Sequence, residues 1–345
     1  MPAFPRRNNL EWLRLIFAIQ VVFTHSSFYF KYRLPEAVGH LPGVPAFFFV
    51  RGFSIYSSYR NAPGRRYFEN RFLRLYPALV FATLGGMVVT IIAHGWGYML
   101  LNAKTYAVWV VAQTTLGQAY NPSIFRDVGS GVVNGSLWTL TVEILFYLCV
   151  PVIVWTESKF RLAVPVWMSL YFAVYAIGQL VLTEKIGGGK SIYDFIALTP
   201  LAWGWMFGFG ILAVKNFGFL RPWLKFAPVM ILPMMAMILW GGGGDAFFGS
   251  RDGGMGLLYF VCYVSLVMWF AFAAPYVRLP FDISYGVYVW HMPVINLLMV
   301  LTFPSAILAF ALTFTMAIVS CFLVERPALE LKQVSQKRVS GVFVT

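Results

Sequence analysis

An all-α integral membrane protein of about ten transmembrane helices, with one further short re-entrant or surface helix, is the fold class that three features of the chain predict. Of its 345 residues 59% are hydrophobic and only 11% charged, which leaves too little polar surface to clothe a globule in water. Apolar runs near 20 residues, the length that crosses hydrocarbon as a helix, recur from residue 10 to residue 324. Basic residues gather in alternate connections between those runs, as the positive-inside rule requires of a polytopic protein. No connection or tail is long enough to fold alone. The whole of 1–345 therefore reads as one polytopic membrane domain, with a basic cytoplasmic loop at 60–75 and a short basic C-terminal tail at 326–345.

The predicted spans are 10–29, 42–59, 75–94, 136–155, 162–182, 195–214, 226–241, 255–274, 282–302 and 305–324. The stretch 104–118 is shorter and is interrupted by Gln113, Thr114, Thr115 and Gly117, so it reads as the re-entrant or surface helix. With a cytoplasmic N-terminus, this threading puts Arg60, Arg65, Arg66, Arg71, Arg74, Lys159, Arg161, Lys215, Arg221, Lys225, Arg278, Lys332, Lys337 and Arg338 inside. Counting 104–118 as a full span would move the basic tail to the other side. The N-terminal residues, with Arg6 and Arg7, lead into an apolar run without a small-residue cleavage site, which resembles a retained first span rather than a signal peptide.

The formal charge of +13 is broken up by the spans, so it argues for membrane topology and against nucleic-acid binding. Cys149, Cys262 and Cys321 lie inside apolar stretches without ligand-like spacing. They read as packing residues, with no disulfide and no metal.

Ionisable residues inside a span are costly and usually face a cavity or a partner. At about 1.5 Å per residue, Arg14 lies roughly 6 Å from the cytoplasmic edge of the first span and His25 roughly 7 Å from its outer edge. The same arithmetic puts Arg51 roughly 13 Å deep in the second span and Glu143 roughly 11 Å deep in the fourth. His25, Arg51 and Glu143 thus share the outer half. Two readings fit: a structural network in which Glu143 neutralises Arg51, or a proton-handling site in which the carboxylate orients His25. His291, near the centre of the ninth span, is either a packing histidine or a substrate contact. His40 and His94 fall near interfaces and take no role. Between Arg60 and Pro77 the chain carries five arginines. Arg71 and Arg74 are three apart on the amphipathic approach to the third span, so they share one helix face. Guanidinium forks so placed suit phosphate oxygens.

These residues fall into a pattern that resembles the acyltransferase-3 family of membrane-bound O-acyltransferases. Leu10, Glu11, Trp12, Leu13 and Arg14, followed after ten residues by His25, resemble its first-helix motif. The run Ala46 to Phe53, with Phe47, Phe48 and Gly52, is similar to its FFxxSGF signature, and Arg71 to Pro77 to its RxxRxYP loop. Ser136, Leu137, Trp138, Leu140, Glu143, Phe146 and Tyr147 match an SLWxLxxExxFY helix. Ile283, Ser284, Tyr285, Tyr288 and His291, then Glu325, Arg326 and Pro327, resemble its late ISYxxYxxH and ERP signatures.

The resemblance implies an O-acyltransferase of a bacterial cytoplasmic (inner) membrane, with both termini cytoplasmic. It implies acyl-CoA as cytoplasmic donor and a carbohydrate acceptor, polysaccharide or lipid-linked precursor, on the far side. His25, Arg14 and Glu143 are its expected catalytic residues. Arg71 and Arg74, with Arg65 and Arg66, are the expected donor ligands, and Arg51, Trp138, Tyr285 and His291 the expected substrate contacts. Besides donor and acceptor, the expected partners are membrane lipids, with no nucleic acid; a homo-oligomer is left open. Transfer is either direct or through an acyl-histidine. Arg51 departs from the family pattern, standing where a small hydroxylic residue is usual. An extra cation there would admit succinyl as well as the more usual acetyl. A transporter or flippase for a lipid-linked sugar, using the same charges as a translocation path, and a noncatalytic export partner are the competing classes.

Overall fold

The computed structural model describes residues 5, 7–118, 120–182, 195–240, 246–250 and 255–331. The tail residues Lys332, Lys337 and Arg338, Arg6, and most of the connections 184–194 and 241–254 between predicted spans lie outside them. Among the described residues the regular structure is entirely helical. In chain order the helices are α1 (Leu10–Phe30), α2 (Gly43–Asn61), α3 (Arg65–His94), α4 (Trp96–Leu101), α5 (Ala103–Leu116) and α6 (Trp138–Lys159). They continue with α7 (Ala163–Leu182), α8 (Pro200–Lys215), α9 (Ile231–Leu239), α10 (Leu257–Phe272), α11 (Ser284–Val300) and α12 (Ala306–Ser320). A short α-helix at Phe217–Leu220 and a 3-10 helix at Arg221–Met230 lead into α9.

Every predicted span falls on a helix. Among the described residues seven segments are long and apolar enough to cross a bilayer: Leu10–Phe30, Arg65–His94, Gly135–Lys159, Ala163–Leu180, Phe195–Lys215, Phe217–Leu239 and Ala306–Leu331. The expected count of about ten would also need the shorter apolar helix Leu257–Phe272 together with α2 and α11, which are not among the seven. α11 has 17 residues, and α2 carries Arg51 and several hydroxyl groups. Both bury most of their side chains inside the protein, so lipid does not select them for apolarity. The stretch expected as re-entrant or superficial is α5, 14 residues long and so about 21 Å.

The chain packs as two compact units. The first comprises Met1–Gln20, Leu34–Pro63 and Val142–Pro280. Here α2 and α8 meet backbone to backbone: a methyl group added at Gly52 would strike the Phe207 carbonyl, and one at Gly210 the Phe49 carbonyl. Small residues that let helices approach this closely are the usual means of association where lipid removes the hydrophobic drive. On the other side of α8, Gly204 and Gly208 receive Tyr171 and Met168 of α7, and the Phe146 and Phe207 rings stack with centroids 4.0 Å apart. Buried Asn9 donates through Nδ2 to the carbonyls of Phe270 and Pro275, each at 3.0 Å. It thereby satisfies chain left open at the C-terminal end of α10. Replacing Gly52 with alanine is expected to lower the unfolding temperature in detergent, at a cost of about 1–3 kcal/mol for overpacking. Gly97→Ala, where the added methyl meets nothing within 4 Å, serves as the control.

The second unit comprises Val21–Arg33, Gly64–Thr141 and Phe281–Thr345. α11 lies between α3 and α12, with Trp290 over Gly85 and Gly286 against Ala317. Val89, Tyr106, Trp109, Phe125, Val128 and Val133 form an apolar core beneath the loop before α6. Asn296, fully buried, ties that loop down: its Oδ1 accepts from Ser130 N at 2.7 Å and its Nδ2 donates to the carbonyls of Val132 and Val133 at 2.9 Å.

Candidate active site

The C-terminal part of α1 and the middle of α11 bring two histidines together in the second unit. His25 Nδ1 lies 2.8 Å from His291 Nε2, and the rings stack with centroids 5.1 Å apart. His291 is wholly buried and His25 half-buried. The far nitrogen of His291, Nδ1, lies 2.7 Å from the Tyr288 carbonyl one turn earlier.

The frame around the pair follows from one proline. Pro293 has no N–H, so the carbonyl four residues before it, that of Val289, loses its helical donor. Asn134 Nδ2 supplies the replacement at 2.9 Å, and Asn134 Oδ1 in turn accepts from Ser136 Oγ at 2.8 Å. The Tyr288 hydroxyl closes the frame by bonding the Ser136 carbonyl and the Thr139 hydroxyl. Neither asparagine was singled out from sequence, although Pro293 in a span announces an orphaned carbonyl that some donor has to meet.

In the first unit Arg51 and Glu143 form a buried ion pair, Nε to Oε1 3.1 Å, with side chains 10% and 1% exposed. The Tyr147 hydroxyl donates to the same carboxylate oxygen, and the guanidinium lies 4.5 Å over the Phe47 ring. Of the two readings left open by the sequence, the network is the one this pair fits: Glu143 binds Arg51 and Tyr147, and within the second unit His25 bonds to His291. Arg51 has its charge met by a carboxylate, so it adds no spare cation to a pocket.

Arg14 projects from α1 in the first unit, with an i,i+3 contact to Glu11 at 3.9 Å. On α3, Arg71 lies 6.0 Å from the Tyr67 ring, while Arg74 approaches Asp282 at 3.7 Å and is 39% exposed. Arg65 pairs with Glu69 at 2.6 Å across an exposed helical turn, and Arg66 is exposed. Tyr285 uses its hydroxyl to bond the Leu75 carbonyl at 2.9 Å, which makes it a tether from α11 to α3. Trp138 begins α6 and is half-buried. Of the histidines given no role, His40 bonds the Ser250 carbonyl at 3.1 Å. His94 lies 3.0 Å from Asp127 and holds that loop carboxyl below the usual carboxylate range.

Fold and site together define a multi-pass helical membrane protein with a histidine pair among its helices. The family profile described as an acyltransferase domain matches residues 7–326. The chain belongs to that family, acyltransferase-3, and is an O-acetyltransferase-like enzyme. It is 30% identical to nodulation protein 10 of Rhizobium leguminosarum bv. viciae, over 94% of each chain. It is also 25% identical to an O-acetyl transferase of Shigella phage Sf6, over 93% of this chain and 96% of that one. A third relative, the peptidoglycan O-acetyltransferase OatA of Listeria monocytogenes, is 24% identical over 92% of this chain and 55% of its own. No solved structure matches the chain.

Proposed function

We propose that the protein moves an acetyl group from cytoplasmic acyl-CoA to a hydroxyl of a carbohydrate, an exported polysaccharide or its lipid-linked precursor. It does so in the bacterial cytoplasmic membrane, with both termini inside. The observation that carries this reading is the His25–His291 pair: an imidazole bonded through one nitrogen at 2.8 Å has its other nitrogen left for proton transfer. In the direct reaction His25 Nε2 takes the acceptor hydroxyl proton as the oxygen attacks the thioester carbon. The new C–O bond forms, the C–S bond breaks, and the thiolate leaves as CoA thiol with the proton returned from His25. In the covalent variant the same lone pair attacks the thioester carbon first, the C–S bond breaks and CoA leaves, and the acceptor oxygen then takes the acyl group as the C–N bond to His25 breaks.

Acetyl is preferred to succinyl because Glu143 neutralises Arg51, which removes the reason for favouring a carboxylated acyl group. The carbohydrate acceptor is supported by the relative that acts on peptidoglycan. Arg71 and Arg74, on one face near the start of α3, are the residues we assign to the CoA phosphates.

Purified protein in lipid vesicles should release CoA from acetyl-CoA only when a suitable glycan is present, and radiolabel from the acetyl group should appear in that glycan. Sugar movement across the vesicle without label transfer would favour a flippase instead. The combined Arg71→Ala and Arg74→Ala variant should bind acetyl-CoA at least tenfold more weakly in a direct binding assay, since each charge-assisted phosphate contact contributes about 1.5–3 kcal/mol. Its folding should be little changed, because a half-exposed ion pair such as Arg74–Asp282 stabilises by about 1 kcal/mol at most.

A further inference from the structure

Each hydrogen bond of the histidine pair has a direction. The Tyr288 carbonyl can only accept, so His291 Nδ1, 2.7 Å away, carries hydrogen. His291 is 0% exposed, and burying it as a cation is costly. In the neutral ring a protonated Nδ1 leaves the lone pair on Nε2. That lone pair meets His25 Nδ1 at 2.8 Å, so His25 Nδ1 is the donor. The remaining lone pair of His25 then stands on Nε2, at the edge of the ring turned from His291.

We propose that His291 is a positioning residue for acyl transfer: with the Tyr288 carbonyl behind it, His291 holds His25 as the Nδ1–H tautomer and so places the reactive lone pair on Nε2. This rests on the reading of His25 as the base or nucleophile, and it gives His291 a role other than substrate contact. An unrestrained neutral histidine favours hydrogen on Nε2, the tautomer with the lone pair facing the wrong way, so the restraint has work to do. His291 is itself kept in place because it lies in the turn where Pro293 leaves the Val289 carbonyl without a helical donor. Asn134 and the Tyr288 hydroxyl then pin that turn to the chain around Ser136.

The test uses the full protein in lipid vesicles, with its four histidines labelled with nitrogen-15 and His25 assigned by difference from His25→Ala. Wild type should show hydrogen on Nδ1 of His25. In His291→Gln the side-chain oxygen still accepts from Nδ1–H, so tautomer and kcat should be retained, the latter within about tenfold. His291→Leu offers no acceptor: His25 should move to the Nε2–H form and kcat should fall about a hundredfold or more, with acetyl-CoA binding unchanged. Hydrogen on Nε2 of His25 in wild type would overturn the proposal, even if the leucine variant did not fold. So would equal loss of kcat in the glutamine and leucine variants without a change of tautomer. Because the tautomer is read without turnover, an error in the assignment of His25 itself shows separately, as the expected tautomer in an enzyme indifferent to His25→Ala.

Discussion

His25→Ala protein is expected to lose acyl transfer by roughly a hundredfold to ten-thousandfold, the usual consequence of removing a general base, with a nucleophile costing at least as much. Expression, insertion and acetyl-CoA binding should persist, because His25 is half-buried and the arginines assigned to the CoA phosphates lie on another helix. Turnover and donor binding measured on the same vesicles check both halves. Transfer within about threefold of wild type in well-folded His25→Ala protein would remove His25 from the mechanism, leaving the family membership untouched.

The largest effect on stability is expected at the other polar centre. Glu143→Gln keeps an acceptor for the Tyr147 hydroxyl but leaves the Arg51 guanidinium buried without its carboxylate. Removing one partner of a buried pair costs about 3–5 kcal/mol, so the unfolding temperature should drop by many degrees. Adding Arg51→Met removes the stranded charge, and the double variant should recover most of the loss, a non-additivity expected of residues in direct contact. Activity per folded molecule should fall far less in Glu143→Gln than in His25→Ala, because the carboxylate holds Arg51. Equal catalytic loss in the two variants would restore Glu143 to the chemistry.

Much of the site was legible in the chain because polar atoms in hydrocarbon have few places to go. Arg51 and Glu143 announced themselves by depth alone, and the structural reading of them is the one the geometry supports. His291 was visible as a polar residue in the ninth span, but its partner was not. Depth gives one coordinate along the membrane normal, and it grouped His25 with Glu143 at nearly the same level. Which helices are neighbours at that level is a lateral question, on which hydropathy is silent. Asn134 and Asn296 escaped notice for a related reason: they act through backbone carbonyls of residues 155 and 163–164 positions away, and neither the loop asparagine nor the one in α11 carries a sign of so distant a partner.

By itself the sequence determined that the protein lives in a membrane, is built of helices, and has the ordered motifs of an acyltransferase. The physical reason is that bilayer thickness and the cost of unpaired backbone groups leave helices of one length as the economical solution, and apolar runs record that length directly. Tertiary structure decided which polar side chains meet. It paired Arg51 with Glu143, set His25 on His291, and filled the carbonyl left open by Pro293 with Asn134. Those pairings depend on hydrogen bonds that work within a few tenths of an ångström between residues remote in sequence, and only the packed helices bring them into that range.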